Sequence, residues 1–185
     1  FLTKMFPKKY EIQVWHLSNS LFSLLSIIGI YKISCIFFNK HAAKIIFVLC
    51  FFNPIFFGHM SINPKDTLIA FSNIWSTYII FRYLQGQHLN SKRKRYILLA
   101  GLTIGLGTGV RLPFLATLIP LFLFVIIDIF ISKKITNSKF SIYKFVPDIL
   151  IALVIAYAIT VFAWPHVHEN IFLEPCKIFA EQIKN

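Results

Sequence analysis

Long apolar runs, separated by short polar and basic segments, dominate this chain of 185 residues. About 20 consecutive apolar residues are enough for a helix to cross the hydrocarbon core of a bilayer, which is about 30 Å thick. Only 14% of the residues are charged, against about 25% in soluble domains, and the mean hydropathy is +0.69. Several of the apolar runs approach or reach this length, and the basic residues lie between them. We therefore predict an all-α fold, a polytopic transmembrane helix bundle.

We predict about six membrane-spanning helices: four at residues 17–38, 42–57, 67–84 and 145–164, and two within 96–132 that turn at residues 111–113. Two spans are placed in the apolar stretch 96–132 because one helix of that length, rising about 1.5 Å per residue, would far exceed the bilayer. Residues 1–16 mix aromatic and basic side chains, which favours an interfacial N-terminal helix in the first external loop. Residues 165–185 are expected to begin an external region. Since the sequence starts at Phe1 rather than Met, we expect residues 1–185 to be a single transmembrane domain, a fragment of a larger multi-pass protein.

The net charge of +12 does not indicate nucleic-acid binding, because the basic residues form short clusters between the apolar runs. That distribution is typical of a membrane protein, whose cytoplasmic loops are enriched in Lys and Arg. Three basic segments hold eleven such residues, at positions 40, 44, 82, 92, 93, 94, 95, 133, 134, 139 and 144. If these segments face the cytoplasm, both termini and the loop 58–66 face the opposite side.

The loop 58–66 is a short polar segment between two apolar runs, and it carries His59, Asn63, Lys65 and Asp66. A carboxylate beside a histidine can act as a general base or can bind a divalent cation. Asp66 and His59 are therefore candidate catalytic residues, and Asp66 is also a candidate metal ligand. The structural alternatives are that Asp66 caps the helix that follows and that His59 packs against Phe57.

Further polar residues are predicted to lie at the same membrane boundary as this loop. Arg111 and Lys65 could hold a phosphate group, Arg111 through the planar fork of its guanidinium. The candidate substrate-binding residues are Lys65, Asn63, Arg111, His166, His168 and Glu169. In the alternative interpretation, Arg111 only anchors to lipid headgroups, Lys65 is a solvated charge and residues 166–169 are an ordinary wet loop.

Small residues recur every four positions at Gly101, Gly105 and Gly109. Spacing of this kind lets a neighbouring helix approach closely, so we predict a packing face there rather than a phosphate-binding loop. Lys32 interrupts the first span and is predicted either to reach the interface or to face the bundle. Cys35 and Cys50 are expected to be small packing residues, and the cysteine spacing predicts no disulfide or zinc cluster.

Three stretches of the chain resemble bacterial multi-pass (type C) glycosyltransferases related to the protein O-mannosyltransferases. Residues 54–66, with Gly58, His59 and then Asn-Pro-Lys-Asp, are similar to the Gly-His-x-x-x-Asn-Pro-Lys-Asp segment of these enzymes. The glycine-rich span 101–111 resembles their span ending in a basic residue, and 164–170 resembles their Trp-Pro exit from a later span. The resemblance covers most of the chain in the right order.

This resemblance implies inverting transfer of a hexosyl or pentosyl unit from a polyprenyl-phosphate-linked donor to an acceptor glycan, lipid or protein. The reaction is expected on the non-cytoplasmic face, which for a bacterial inner membrane is the periplasmic side. An acid in the first external loop is implied to act as the base, and a second acid, here Asp66, to shape the donor site or bind Mg²⁺ or Mn²⁺. The first acid has no good counterpart, since Glu11 falls in the tail end of that loop, so the fragment is expected to lack the base.

A multi-pass transporter or lipid flippase is the alternative function. Transporters tend to place charged groups and broken helices near the middle of the bilayer. Apart from Lys32, the charges of this chain are predicted at the membrane boundary, which favours the enzyme. No resident cofactor beyond a divalent cation is expected, and the partners are the donor lipid, the acceptor and membrane lipids.

Overall fold

The computed structural model describes residues 11–54, 63–136 and 139–164, and the regular elements in these ranges are helices. In chain order they are α1 Glu11–Phe37, α2 Lys40–Phe51, α3 Pro64–Gly86, α4 Asn90–Val110, α5 Phe114–Thr117, α6 Ile119–Ile127 and α7 Ile142–Ala163. A π-helical segment, Asp128–Ser132, continues α6. The all-α fold is therefore confirmed. Residues 12–16 continue into the first span without a break, because α1 is one helix.

The prediction of about six spans exceeds what the structure supports. Within the described ranges, three helices are long and apolar enough to cross a membrane: Ile12–Phe37, Phe114–Ser132 and Ile142–Ala163. α3 and α4 have comparable lengths, 23 and 21 residues, but they are less apolar. α3 includes Lys65, Asp66 and Arg82, and four consecutive basic residues lie in the first turns of α4. The described part of α2 has only 12 residues.

The chain divides into two compact units, residues 1–78 and 79–185, and α3 contributes to both. In the first unit the beginning of α3 packs against α1. The indole N–H of Trp75 donates to the carbonyl of Leu25 over 3.1 Å, and the rings of Phe22 and Phe71 meet edge to face at 5.1 Å. Gly29 leaves room for this contact, since a methyl group there would lie 2.6 Å from the Ile74 side chain.

Lys32 contacts two aromatic rings of α3 within the first unit. Its ammonium lies 5.1 Å from the ring centroid of Trp75 and 5.4 Å from that of Tyr78. A cation over the face of an aromatic ring is attracted by the ring quadrupole. The structure therefore supports the prediction that Lys32 faces neighbouring helices, although part of its side chain is exposed.

In the second unit α4 packs against α7 through the glycine face predicted from the sequence. A methyl group at Gly101 would lie 2.7 Å from Ile155 Cβ, and one at Gly105 would lie 2.8 Å from Ile159 Cβ. Two hydrogen bonds join the same helices near their other end. The hydroxyls of Thr108 and Thr160 are 2.6 Å apart, and the indole N–H of Trp164 donates to the carbonyl of Gly109 over 2.6 Å. The prediction of a packing face is confirmed.

Replacing Gly105 by alanine tests this contact. The added methyl group overlaps Ile159 and the backbone of Ala156, and overpacking of this kind costs about 1–3 kcal/mol, partly offset by about 1 kcal/mol of helix propensity. We expect a lower free energy of unfolding in detergent, measured by thermal or denaturant unfolding. Gly86→Ala is the matched control, because its nearest contact would be an ordinary 3.5 Å from Tyr96. Equal stabilities for the two variants would contradict the close approach of α4 and α7.

Candidate functional site

The predicted polar corner lies at the beginning of α3, where Asn63 caps the helix. The backbone N–H of Thr67 donates to the carbonyl of Asn63 over 3.2 Å, which is the first helical hydrogen bond. The side-chain carbonyl of Asn63 accepts a long hydrogen bond, 3.4 Å, from the backbone N–H of Asp66. Pro64 occupies the first helical position, where its missing N–H costs nothing and its fixed φ suits the helix. The Asn-Pro-Lys-Asp sequence therefore starts the helix by ordinary capping chemistry.

Asp66 forms a second hydrogen bond with Asn63, because its carboxylate accepts from the side-chain amide of Asn63. The pair resembles a capping box, in which the N-cap residue and the residue three positions later bind each other reciprocally. A negative charge in the first turn is also favoured by the helix dipole. Both Asp66 and Lys65 are exposed, whereas Asn63 is half-buried. Asn63, Lys65 and Asp66 are thus brought together, and the helix-cap alternative for Asp66 describes its local role.

No three His, Cys, Asp or Glu side chains are grouped as a metal site in residues 11–54, 63–136 and 139–164. Asp66 supplies one carboxylate at this position. His59, the predicted catalytic partner of Asp66, lies outside the described residues. The predicted substrate-binding residues His166, His168 and Glu169 also lie outside them. Their site roles stay predictions.

Arg111 lies just after α4, in extended backbone, with an exposed side chain. Its backbone N–H donates to the carbonyl of Gly107 over 3.1 Å. The break predicted at residues 111–113 is confirmed, because α4 ends at Val110 and α5 begins after Pro113. Asp66 belongs to the first unit and Arg111 to the second, and the hypothesis that they hold one phosphate together stays a prediction.

The sequence analysis missed a buried ion pair in the second unit. Two nitrogens of Arg93 donate to the two carboxylate oxygens of Asp148, each over 2.6 Å. Tyr83 donates its hydroxyl to the same carboxylate over 2.5 Å. Asp148 is 2% exposed, while the Arg93 side chain is 26% exposed. A bidentate pair of this kind is both strong and geometrically specific.

Gln87 extends this group of polar side chains to the segment before α7. Its amide N–H₂ donates to the Tyr83 hydroxyl and to the carbonyl of Ser141, each over 2.9 Å. Its carbonyl accepts from the backbone N–H of Ser141 over 2.6 Å. The end of α3, the beginning of α4 and the first turns of α7 are therefore held by one polar network, called here the Asp148 network: Tyr83, Gln87, Arg93, Ser141 and Asp148.

One sequence signal could have identified the Asp148 network. Asp148 is a lone acid inside an apolar run, and ionisable residues in such runs usually face the bundle interior and pair with a partner. A second buried acid, Asp128, follows the same logic at the end of α6. Its carboxylate accepts from the backbone N–H groups of Lys134, Ile135 and Thr136 and from the Thr136 hydroxyl. Asp128 therefore organises the loop that follows it.

Comparison with known protein families gives a match over residues 1–164 to the model described as dolichyl-phosphate-mannose-protein mannosyltransferase. The match spans both units and includes the Asn63–Asp66 corner, Arg111 and the Asp148 network. The chain belongs to this family. Neither the curated proteins nor the solved structures gave a significant match.

Membership of the mannosyltransferase family confirms the resemblance noted in the sequence and assigns the chain to the membrane glycosyltransferases. Together with the three apolar helices, it makes this an integral membrane protein. The family also favours an enzyme over the transporter or flippase that the sequence left open. His166, His168 and Glu169 lie beyond the matched region.

The Asp148 network makes a specific prediction about the stability of this mannosyltransferase-family chain. Asp148→Leu leaves the Arg93 guanidinium without its carboxylate, and breaking a buried pair costs about 3–5 kcal/mol. We expect about 3 kcal/mol, because Arg93 is one-quarter exposed and regains some hydration. The measurement is the free energy of unfolding in detergent.

The double variant Arg93→Leu/Asp148→Leu is the control for this experiment. It removes both charges, so no unpaired ion is left, and we expect it to be more stable than Asp148→Leu alone. The single variant Arg93→Leu completes the comparison. If the loss in the double variant equalled the sum of the losses in Arg93→Leu and Asp148→Leu, the two side chains would not interact.

Proposed function

We propose that this chain contributes to sugar transfer from a polyprenyl-phosphate-linked donor to an acceptor on the non-cytoplasmic face of the membrane. The observation that carries the proposal is the exposure of Asp66. Among the described residues, Asp128 and Asp148 are buried and fully engaged with donors, while Asp66 is exposed beside Lys65 at the beginning of α3. It is therefore an acid within the family match that a substrate can reach.

The chemistry of the Asn63–Asp66 corner suits a donor that carries a phosphate. In the proposed reaction, an acceptor oxygen or nitrogen forms a bond to the anomeric carbon while the bond from that carbon to the phosphate oxygen breaks. Negative charge then grows on the polyprenyl phosphate, and a cation such as Lys65 at a helix N-terminus stabilises it. Arg111 is proposed to add a second donor to the same phosphate.

Asp66 is proposed to position these groups rather than to act alone. Its hydrogen bond to the Asn63 side chain fixes the amide. An exposed carboxylate can also accept a hydrogen bond from an acceptor hydroxyl or coordinate a divalent cation such as Mg²⁺ or Mn²⁺. His59 is proposed as its acid–base partner, and His166, His168 and Glu169 as contacts to the acceptor.

Asp66→Asn tests the proposed site directly. The substitution keeps the size of the side chain but removes its charge, and we expect sugar transfer by the enzyme to fall at least about 100-fold. The measurement is transfer of a radiolabelled sugar from a polyprenyl-phosphate donor in membranes with equal amounts of inserted protein.

Thr67→Val is the matched control at the same helical turn. It removes the hydrogen bond from the Thr67 hydroxyl to the carbonyl of Asn63 while leaving the Asp66 carboxylate unchanged, so transfer should stay close to the native rate. Full activity of Asp66→Asn would remove Asp66 from the site. A loss in Thr67→Val as large as that in Asp66→Asn would mean that helix initiation, and not the carboxylate, is what activity requires.

The sidedness of the proposed site is tested at the two ends of α4. α4 has 21 residues and so extends about 30 Å, and the positive-inside rule places its basic beginning in the cytoplasm. In a variant without native cysteines, Ser91→Cys and Pro113→Cys should react with an impermeant maleimide from opposite sides of the membrane. Labelling from the same side would show that α4 does not cross the bilayer and would remove Arg111 from the proposed face.

A further inference from the structure

The second unit contains an apolar groove that the proposed sugar transfer does not use. It is a partly open cavity of about 40 Å³ between α3, α4, α6 and α7. Its walls include Ile80, Ile97, Ile104, Phe122 and Leu153. Tyr83 and Asp148 also line it, but their polar atoms are bonded to each other, to Arg93 and to Gln87. The surface left open to a ligand is therefore mainly apolar and attracts little water. In a bilayer, a few methylene groups of a lipid acyl chain can occupy a groove of this kind.

Two basic residues lie close in the chain to residues that line this groove. Tyr96 lines the groove, and Lys92 lies one turn before it on the same side of α4, since residues four apart are neighbours on a helix. The methylene groups of Lys92 approach Gly86, within about 4.0 Å of where a methyl group would lie. At the beginning of α7, Lys144 immediately precedes Phe145, which also lines the groove. Both lysines are exposed.

Among the described residues, Asp148 is the acidic side chain found to pair with the positive charge at this end of α4. Arg93 is paired with Asp148, but no ion pair with an acid is found for Lys92, Lys94, Arg95 or Lys144 in the described part of the chain. α4 has no acidic residue in its first turn and no side-chain cap. Cations at a helix N-terminus are unfavourable with the helix dipole. An anion at this position would therefore be stabilised by both the side chains and the helix.

We propose that this groove binds one anionic phospholipid of the surrounding bilayer. Part of an acyl chain lies between Ile97 and Leu153, and the phosphate of the headgroup lies against Lys92 and Lys144. The site is at the end of α4 opposite to Arg111, about 30 Å away along the helix. Anionic lipids are the matching partner, because clusters of Lys and Arg next to a membrane helix attract them.

The test measures lipid retention by the full-length protein in detergent, using native mass spectrometry with added phosphatidylglycerol or phosphatidylcholine. We expect one phosphatidylglycerol to be retained in preference to phosphatidylcholine. Lys92→Gln/Lys144→Gln should reduce that preference about 30-fold, since each basic residue near an anionic surface contributes about a factor of five. The matched control is Lys40→Gln/Lys44→Gln, which removes the same charge from exposed positions of the first unit and should have no effect.

A second pair of variants tests the groove itself. Leu153→Trp fills the groove from its wall and should abolish retention of phosphatidylglycerol. Val154→Trp places the same bulk on the adjacent exposed position, which does not line the groove, and should leave retention unchanged. Equal retention of the two phospholipids, an intact preference in the double lysine variant, or an unchanged lipid in Leu153→Trp would each overturn the proposal. Displacement of phosphatidylglycerol by an equimolar amount of polyprenyl phosphate would also overturn it, because the groove would then select the donor lipid.

Discussion

The close approach of α4 and α7 is the constraint on which the rest of the second unit depends. Without side chains at Gly101 and Gly105, the backbone of α7 lies against α4, and Ala152 and Ala156 lie at that contact. Larger residues there would separate the helices, and Asp148 would then move away from the guanidinium of Arg93. In the hydrocarbon core of the bilayer no water is available to form hydrogen bonds with an unpaired carboxylate. The glycine face and the Asp148 network therefore depend on each other, since the first provides the distance that the second needs.

The Asn63–Asp66 corner combines capping chemistry with a reachable acid. Asn63 and Asp66 bind each other in the way that starts many helices, so a purely structural role explains why these residue types occur there. That role also holds the carboxylate of Asp66 in one orientation at the protein surface. A functional carboxylate needs this kind of support from neighbouring hydrogen bonds. The structural and the functional interpretations of Asp66 are therefore compatible, and activity measurements rather than geometry separate them.

The sequence predicted the features that depend on local spacing. The glycine face of α4, the helix break at residues 111–113, the helix-cap alternative for Asp66 and the helical fold all follow from patterns within a few residues. It could not predict the partner of Asp148, because Arg93 is 55 positions away and only the folded helices bring them together. The predicted six spans exceed the three helices that are long and apolar enough in the described ranges, and the reason is a different one. The apolar parts of α3 and α4 were counted without the charged turns that belong to the same helices.

Burial separates the three aspartates of the described chain into two kinds. Asp128 accepts hydrogen bonds from three backbone N–H groups and one hydroxyl, and Asp148 accepts from Arg93 and Tyr83, so both are compensated inside the protein. Moving either carboxylate to a substrate would leave buried donors unpaired, which costs more than such a contact returns. Asp66 has no such penalty, because it is already exposed at the end of α3. Of these three acids, Asp66 can therefore contact a substrate at the lowest cost in lost buried hydrogen bonds. Asp128 and Asp148 instead hold the loop after α6 and the helices in place.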